Sequence, residues 1–235
     1  MVDRPRECRA RVTGRRLLAP DIIEIDLQML EPSALAFSAG QWVSVPFGPK
    51  TVRAYSIASA PSSPSRVTLC ADVAPDGIGS RWFRALAAGD EVSFKGPLGG
   101  FVWSSGDSRR PVFAAEEIGI VPIRSILLDL ETISFNRPAL LVYWARDPGW
   151  LAYDDELRSL ARRHSWFAYH PVVGQGGGGW SGLVGTPGEI VDRLVPDVTG
   201  LVAYVAGGEA TIKLVRDVLR TKGLDRKAVK WEKFW

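Results

Sequence analysis

Sulfur and imidazole are scarce in this chain. Two cysteines, Cys8 and Cys70, and two histidines, His164 and His170, occur among its 235 residues. Two thiols are too few for a disulfide framework, an iron–sulfur cluster or a zinc site. The histidines fall at a helix end and on the following strand, without acidic partners at ligand spacing, and read as surface or core residues. No apolar run approaches the ~20 residues of a membrane helix, and Met1 to Ala10 holds no apolar core of a leader peptide. A soluble, cytoplasmic protein is expected. The net charge of +3 is small and scattered, which argues against nucleic acid as a partner. The one basic cluster, Arg4 to Arg16, reads as a strand with a solvated face. Any redox chemistry must come from a bound organic cofactor.

A hydrophobic fraction of 46% and a charged fraction of 23% suit a globular protein. The length suits one large domain or two of roughly 100–130 residues. The chain changes character near residue 105. Before it, short β-rich runs alternate with turns: Ile22–Leu27, Gln41–Val45, Thr51–Ile57, Val67–Val73 and Glu91–Phe94. Strands at this spacing predict an antiparallel barrel. Ser80–Ala88, with Trp82, Phe83, Leu86 and Ala87, fits a short helix. Ser104–Ser108 reads as a linker.

Beyond it, strand and helix alternate. Strands are predicted at Pro111–Ala115, Leu140–Trp144, Phe167–Val172, Leu201–Ala206 and Val229–Phe234. Helices are predicted at Pro122–Thr132, Tyr153–His164, Gly188–Leu194 and Thr211–Lys222. Near-continuous apolar strands with helical crossovers predict a doubly wound parallel sheet. The domains expected are thus 1–105, a β-barrel, and 106–235, an α/β nucleotide-binding type. Gly174–Gly179 reads as a flexible loop, because no helix follows it directly.

The most informative stretch is Arg53-Ala54-Tyr55-Ser56, at the end of an alternating strand. A cation, an aromatic ring and a hydroxyl lie one or two residues apart there. Together they can serve a phosphate, a flat ring and a ring-edge atom of one ligand. The plain alternative is a barrel strand whose Arg and Tyr face solvent. Gly77-Ile78-Gly79-Ser80 opens the short helix. Its free N–H groups and dipole end suit an anion, and Ser80 adds a hydroxyl or an N-cap.

These segments, in this order, resemble the ferredoxin–NADP reductase superfamily over nearly the whole chain. The resemblance also rests on Ala39-Gly40-Gln41-Trp42-Val43, Gly89-Asp90-Glu91-Val92, Gly96-Pro97-Leu98-Gly99, Gly119-Ile120-Val121-Pro122 and the terminal Trp231-Glu232-Lys233-Phe234-Trp235. It implies an FAD-dependent oxidoreductase moving electrons between NAD(P)H and a one-electron carrier such as ferredoxin. FAD rather than FMN follows from the resemblance alone. Arg53 would hold the flavin pyrophosphate. Tyr55 would pack on the isoalloxazine, and Ser56 would hydrogen-bond near flavin N5; these two are the catalytic candidates. Gly77 to Ser80 would bind the second phosphate, and Leu69, Cys70, Ala71 and Asp72 would run alongside the flavin. Gly119, Arg146, Tyr153, Gly207 and Trp235 are carried over for NADPH or NADH. Arg146 with Tyr153 would meet the adenosine end, with Arg146 suited to a 2′-phosphate or merely exposed at a strand end. Trp235 would shield the flavin or complete the last strand.

Two departures stand out. The family's Gly-Gly-Thr-Gly-Ile-x-Pro is Glu116-Glu117-Ile118-Gly119-Ile120-Val121-Pro122 here. At ~4 Å and an effective dielectric of ~20, each added carboxylate would cost a pyrophosphate about 4 kcal/mol. A helix N-terminus returns only about 0.3–2 kcal/mol. The usual nucleotide pose therefore requires both glutamates to turn away or pair with cations. The family's Cys-Gly-Pro is Ala206-Gly207-Gly208, and Trp180 to Gly185 lacks a basic residue. An electron-transfer subunit with a closed nucleotide site, exchanging electrons only with proteins, is the alternative function; a flavin-binding sensory module is a third.

Overall fold

A computed structural model of the chain describes residues 4–176 and 179–234. It divides into two compact units, 1–104 with 124–134, and 105–123 with 135–235. The stretch 124–134, which lies in sequence beyond the linker, thus packs with the first unit.

The first unit is a six-stranded antiparallel sheet in the order β4-β3-β6-β1-β2-β5. Its strands are β1 (Arg6–Ala19), β2 (Ile22–Glu31), β3 (Trp42–Pro46), β4 (Val52–Ser56), β5 (Arg66–Asp72) and β6 (Glu91–Leu98). The two edge strands meet through a bridge between Ile57 and Leu69, and the amide of Ala58 donates to the Thr68 carbonyl at 2.8 Å. This contact closes the sheet and sets Ser56 beside the middle of β5. β1 alternates as a half-buried strand must: Cys8, Ala10 and Val12 point inward. Arg9 and Arg11 point outward, to Glu31 at 3.2 Å and Glu91 at 2.9 Å. The basic N-terminal cluster is therefore a solvated strand face.

Helix α1 (Ile78–Ala85) follows β5 and buries Phe83 in the barrel core. Helix α2 (Ile120–Thr132) belongs to the first unit from Arg124 onward. There Arg124 donates to the Ala58 carbonyl and Ser125 to the Ser59 carbonyl, both at 2.7 Å.

The second unit is a parallel six-stranded sheet in the order β10-β9-β8-β7-β11-β12. It comprises β7 (Arg110–Glu116), β8 (Ala139–Ala145), β9 (Phe167–Val173), β10 (Leu183–Val184), β11 (Leu201–Gly207) and β12 (Val229–Lys233). Helices α3 (Asp154–Arg163), α4 (Pro187–Leu194) and α5 (Glu209–Thr221) connect them. Every residue of β11 is buried, as a central parallel strand requires. Most predicted elements appear with ends shifted by a residue or two, but β2 and β6 run on to Glu31 and Leu98, and α1 stops at Ala85 rather than Ala88. β10 has only two residues, too few for a periodic signal. No helix among the described residues is long and apolar enough to cross a membrane.

Candidate functional site

In the first unit the expected flavin residues converge. Arg53, Ala54, Tyr55 and Ser56 form the last four residues of β4; Arg53 and Ala54 are exposed, Tyr55 is half-buried and Ser56 buried. The Tyr55 ring packs on Phe83 with centroids 4.9 Å apart and stacks on Trp82 at 5.9 Å. Burial pushes the Tyr55 hydroxyl up to about 12, with Arg53 pulling the other way. Gly79 lies directly beneath this pair. A Cβ there would collide with the Tyr55 hydroxyl and touch the Arg53 stem at 3.6 Å. The absent side chain is thus what lets β4 and α1 approach.

Gly77 is the N-cap of α1, and no side chain caps its first turn. The leading N–H groups of Ile78, Gly79 and Ser80 are therefore left for another acceptor. A Cβ on Gly77 would meet nothing within 4 Å, so the approach is open. Ser80 is the third helical residue rather than the cap, and its hydroxyl donates to the Pro75 carbonyl. On β5, Cys70 and Ala71 are buried, and Asp72 accepts from the Ala74 amide at 2.8 Å. An exposed guanidinium, a half-buried ring and an uncapped helix start fit a dinucleotide with a flat ring system.

In the second unit the strand order reverses between β7 and β11. Open α/β sheets bind ligands outside the carboxyl ends of the strands at such a point. The turns after β7 and β11 meet there. A Cβ on Gly119 would collide with the Ala206 carbonyl, and one on Gly207, at φ +159°, with the Glu116 side chain. Both glycines are steric necessities. The Phe234 amide donates to the Gly207 carbonyl at 3.1 Å, which carries the C-terminal segment past this point. Trp235, Gly177 and Gly178 lie outside the described residues.

Both glutamates of the altered loop are satisfied within the chain. Glu116 accepts from the Gly208 amide at 2.8 Å, at the N-cap of α5. Glu117 takes Arg146 in a two-point ion pair, Nε and Nη2 each 2.8 Å from a carboxylate oxygen. The Arg146 guanidinium also lies over the Trp150 ring at 4.0 Å. The arginine assigned from sequence to a 2′-phosphate thus has its fork on Glu117. Tyr153 caps α3 in the left-handed conformation, φ +62°, and is 7% exposed. The sequence reading did not single out Trp82, Trp150 or Gly208 for the site. Trp82 was visible as an aromatic on the helix opened by Gly77; Glu116 and Gly208 are 92 residues apart and carried no signal.

A closed antiparallel barrel and a parallel sheet with these sites define an FAD-dependent oxidoreductase. The sequence profile of the oxidoreductase FAD-binding domain family matches residues 9–103. Ferredoxin–NADP reductase B of Sorangium cellulosum (strain So ce56) is 30% identical over 235 residues, covering 96% of this chain and 96% of that protein. The reductase component of propane 2-monooxygenase from Rhodococcus jostii (strain RHA1) is 25% identical, and the match covers 97% of this chain but 64% of that longer protein. The crystal structure of the Amycolatopsis cytochrome P450 reductase GcoB superposes with a TM-score of 0.89 at 25% identity, over 98% of this chain and 70% of that one. The chain belongs to the ferredoxin–NADP reductase superfamily.

Proposed function

We propose that this chain takes reducing equivalents from NAD(P)H onto FAD and hands them singly to a ferredoxin-type carrier. Residues 1–105 are the FAD-binding part in this reading and 106–235 the nucleotide-binding part. The observation that carries it is the meeting of Arg53, Tyr55 and the uncapped start of α1 around Gly79. The names of its relatives, a ferredoxin–NADP reductase and oxygenase reductase components, support the same reading. Bound flavin supplies the exchange of two-electron input for one-electron output.

The chain's own residues bind and orient. Arg53 offers a planar fork to a phosphate, and the amides of Ile78, Gly79 and Ser80 present partial positive charge to the second. Tyr55, braced by Phe83 and Trp82, would cover one ring face and exclude water from it. Ser56 would offer its hydroxyl to flavin N5, and Cys70 to Asp72 would lie alongside the flavin. Gly119 and Gly207 let the turns after β7 and β11 meet where the nucleotide would bind, with Arg146 and Tyr153 at its margins.

The alternative, an electron-transfer subunit fed by a protein donor, draws support from one observation. Glu116 and Glu117 already occupy the Gly208 amide and Arg146. Arg146 offsets the charge of Glu117, whereas Glu116 rests on a neutral amide and brings its full negative charge to the start of α5. Binding of NADH and NADPH to the FAD-loaded protein, followed by isothermal titration calorimetry, separates the readings. Heat of binding from either nucleotide supports the reductase; none from both supports the subunit.

A further inference from the structure

Resting on the nucleotide reading of the second unit, we propose that Glu117 is a specificity-determining residue. Its carboxylate is a resident competitor for the 2′-phosphate of a dinucleotide, and it shifts discrimination between NADPH and NADH toward NADH. Arg146 directly follows β8, the strand next to β7 and its reversal point. In open α/β sheets the ribose 2′ position is read near the end of that second strand, by a carboxylate for a hydroxyl and by an arginine for a phosphate. This chain places Arg146 there and brings Glu117 to it from the turn after β7.

The geometry makes the competition direct. A guanidinium recognises a phosphate through paired edge donors. In Arg146 two of those donors are held at 2.8 Å by the two Glu117 oxygens, and the flat face lies over Trp150. Exposure is lopsided, 51% for the Arg146 side chain against 9% for that of Glu117. Drawing Arg146 away would leave a buried carboxylate without its partner, the costly half of breaking such a pair. A 2′-phosphate would also bring its own negative charge to that carboxylate, whereas a 2′-hydroxyl would bring none. Glu117 further sits at φ +44°, a left-handed backbone that a glycine adopts freely and a glutamate only under strain. The carboxylate is thus held in place against a local backbone cost.

The test measures affinities of NADP+ and NAD+ for the FAD-loaded protein by calorimetry or equilibrium dialysis, with no turnover. Glu117→Gln should raise the NADP+/NAD+ affinity ratio about tenfold or more, the scale of a released charge-assisted contact. Glu117→Gly, which also relieves the backbone, should move the ratio the same way, and adding Arg146→Ala to either should reverse the gain. Two bound nucleotides with an unchanged ratio in both variants would overturn the inference alone. Binding of neither nucleotide by any form would overturn the nucleotide reading together with it.

Discussion

The hydroxyl of Tyr55 occupies the space that the first side-chain carbon of any larger residue at position 79 would need. Gly79→Ala therefore sets two effects against each other. Alanine favours the helix by about 1 kcal/mol. Forcing Tyr55 aside costs about 1–3 kcal/mol, because Phe83 and Trp82 brace its ring. The apoprotein should melt at a lower temperature and bind FAD more weakly. The ring carbon beneath the hydroxyl lies 3.5 Å from the added carbon, an ordinary contact. Tyr55→Phe in the same chain should therefore restore the melting temperature.

Arg53 should matter for FAD and not for folding. Its side chain is exposed and donates to the Val52 carbonyl at 2.9 Å, and no carboxylate among the described residues pairs with it. Arg53→Ala should leave stability within about 0.5 kcal/mol. FAD affinity should fall by roughly 10- to 100-fold, as expected for loss of a charged hydrogen-bond donor to phosphate. Equilibrium dialysis with FAD and a thermal melt of the apoprotein check the two halves. Unchanged FAD affinity would remove Arg53 from the site.

Tyr55 also predicts an alkaline signature. Burial raises its hydroxyl from 10.0 in the unfolded chain to about 12 in the fold. A raised acid of this kind stabilises the fold below pH 10 and loses that contribution as pH climbs to about 12. Tyr169 and Tyr204 are raised as well, chiefly by burial. The relevant quantity is therefore the difference between wild type and Tyr55→Phe. Wild type should lose stability relative to the variant between about pH 10 and 12, measured by urea denaturation. Parallel curves would contradict the assigned burial.

The glycines of the two sites should respond very differently. A Cβ at Gly119 meets the Ala206 carbonyl oxygen, part of fully buried β11, which has no room to move. Gly119→Ala should cost about 3 kcal/mol, toward the severe end of overpacking. Gly77→Ala, with open space around the new carbon and a φ of −90°, should cost about 1 kcal/mol, the loss expected when alanine takes an N-cap position. Urea midpoints of the two variants measure the contrast.

Much of this was legible in the sequence because it depends on local patterns. Period-two alternation marked Ile22–Leu27 and Val67–Val73, and unbroken apolar runs marked β7, β8 and β11, whose burial on both faces produces such runs. Arg53, Tyr55 and the Gly77 turn were visible because their spacing is short. The state of the altered loop was not. Its two carboxylates are settled by partners 29 and 92 residues away, Arg146 and Gly208. No local pattern encodes which donor a side chain will find once the sheet assembles. Ser80 shows the same limit on a small scale. It was read as a hydroxyl or a cap for the helix, yet the helix begins two residues earlier and its hydroxyl turns back to Pro75.

The central claim, that this chain reduces a bound flavin with a nicotinamide nucleotide, is tested most directly by an anaerobic titration. NADH and NADPH are added in turn to the FAD-loaded protein while the visible flavin absorbance is followed. The account predicts rapid bleaching by at least one of the two. Absorbance that stays unchanged with both nucleotides, in a protein whose flavin dithionite still reduces, would contradict it and leave a protein donor as the source of electrons.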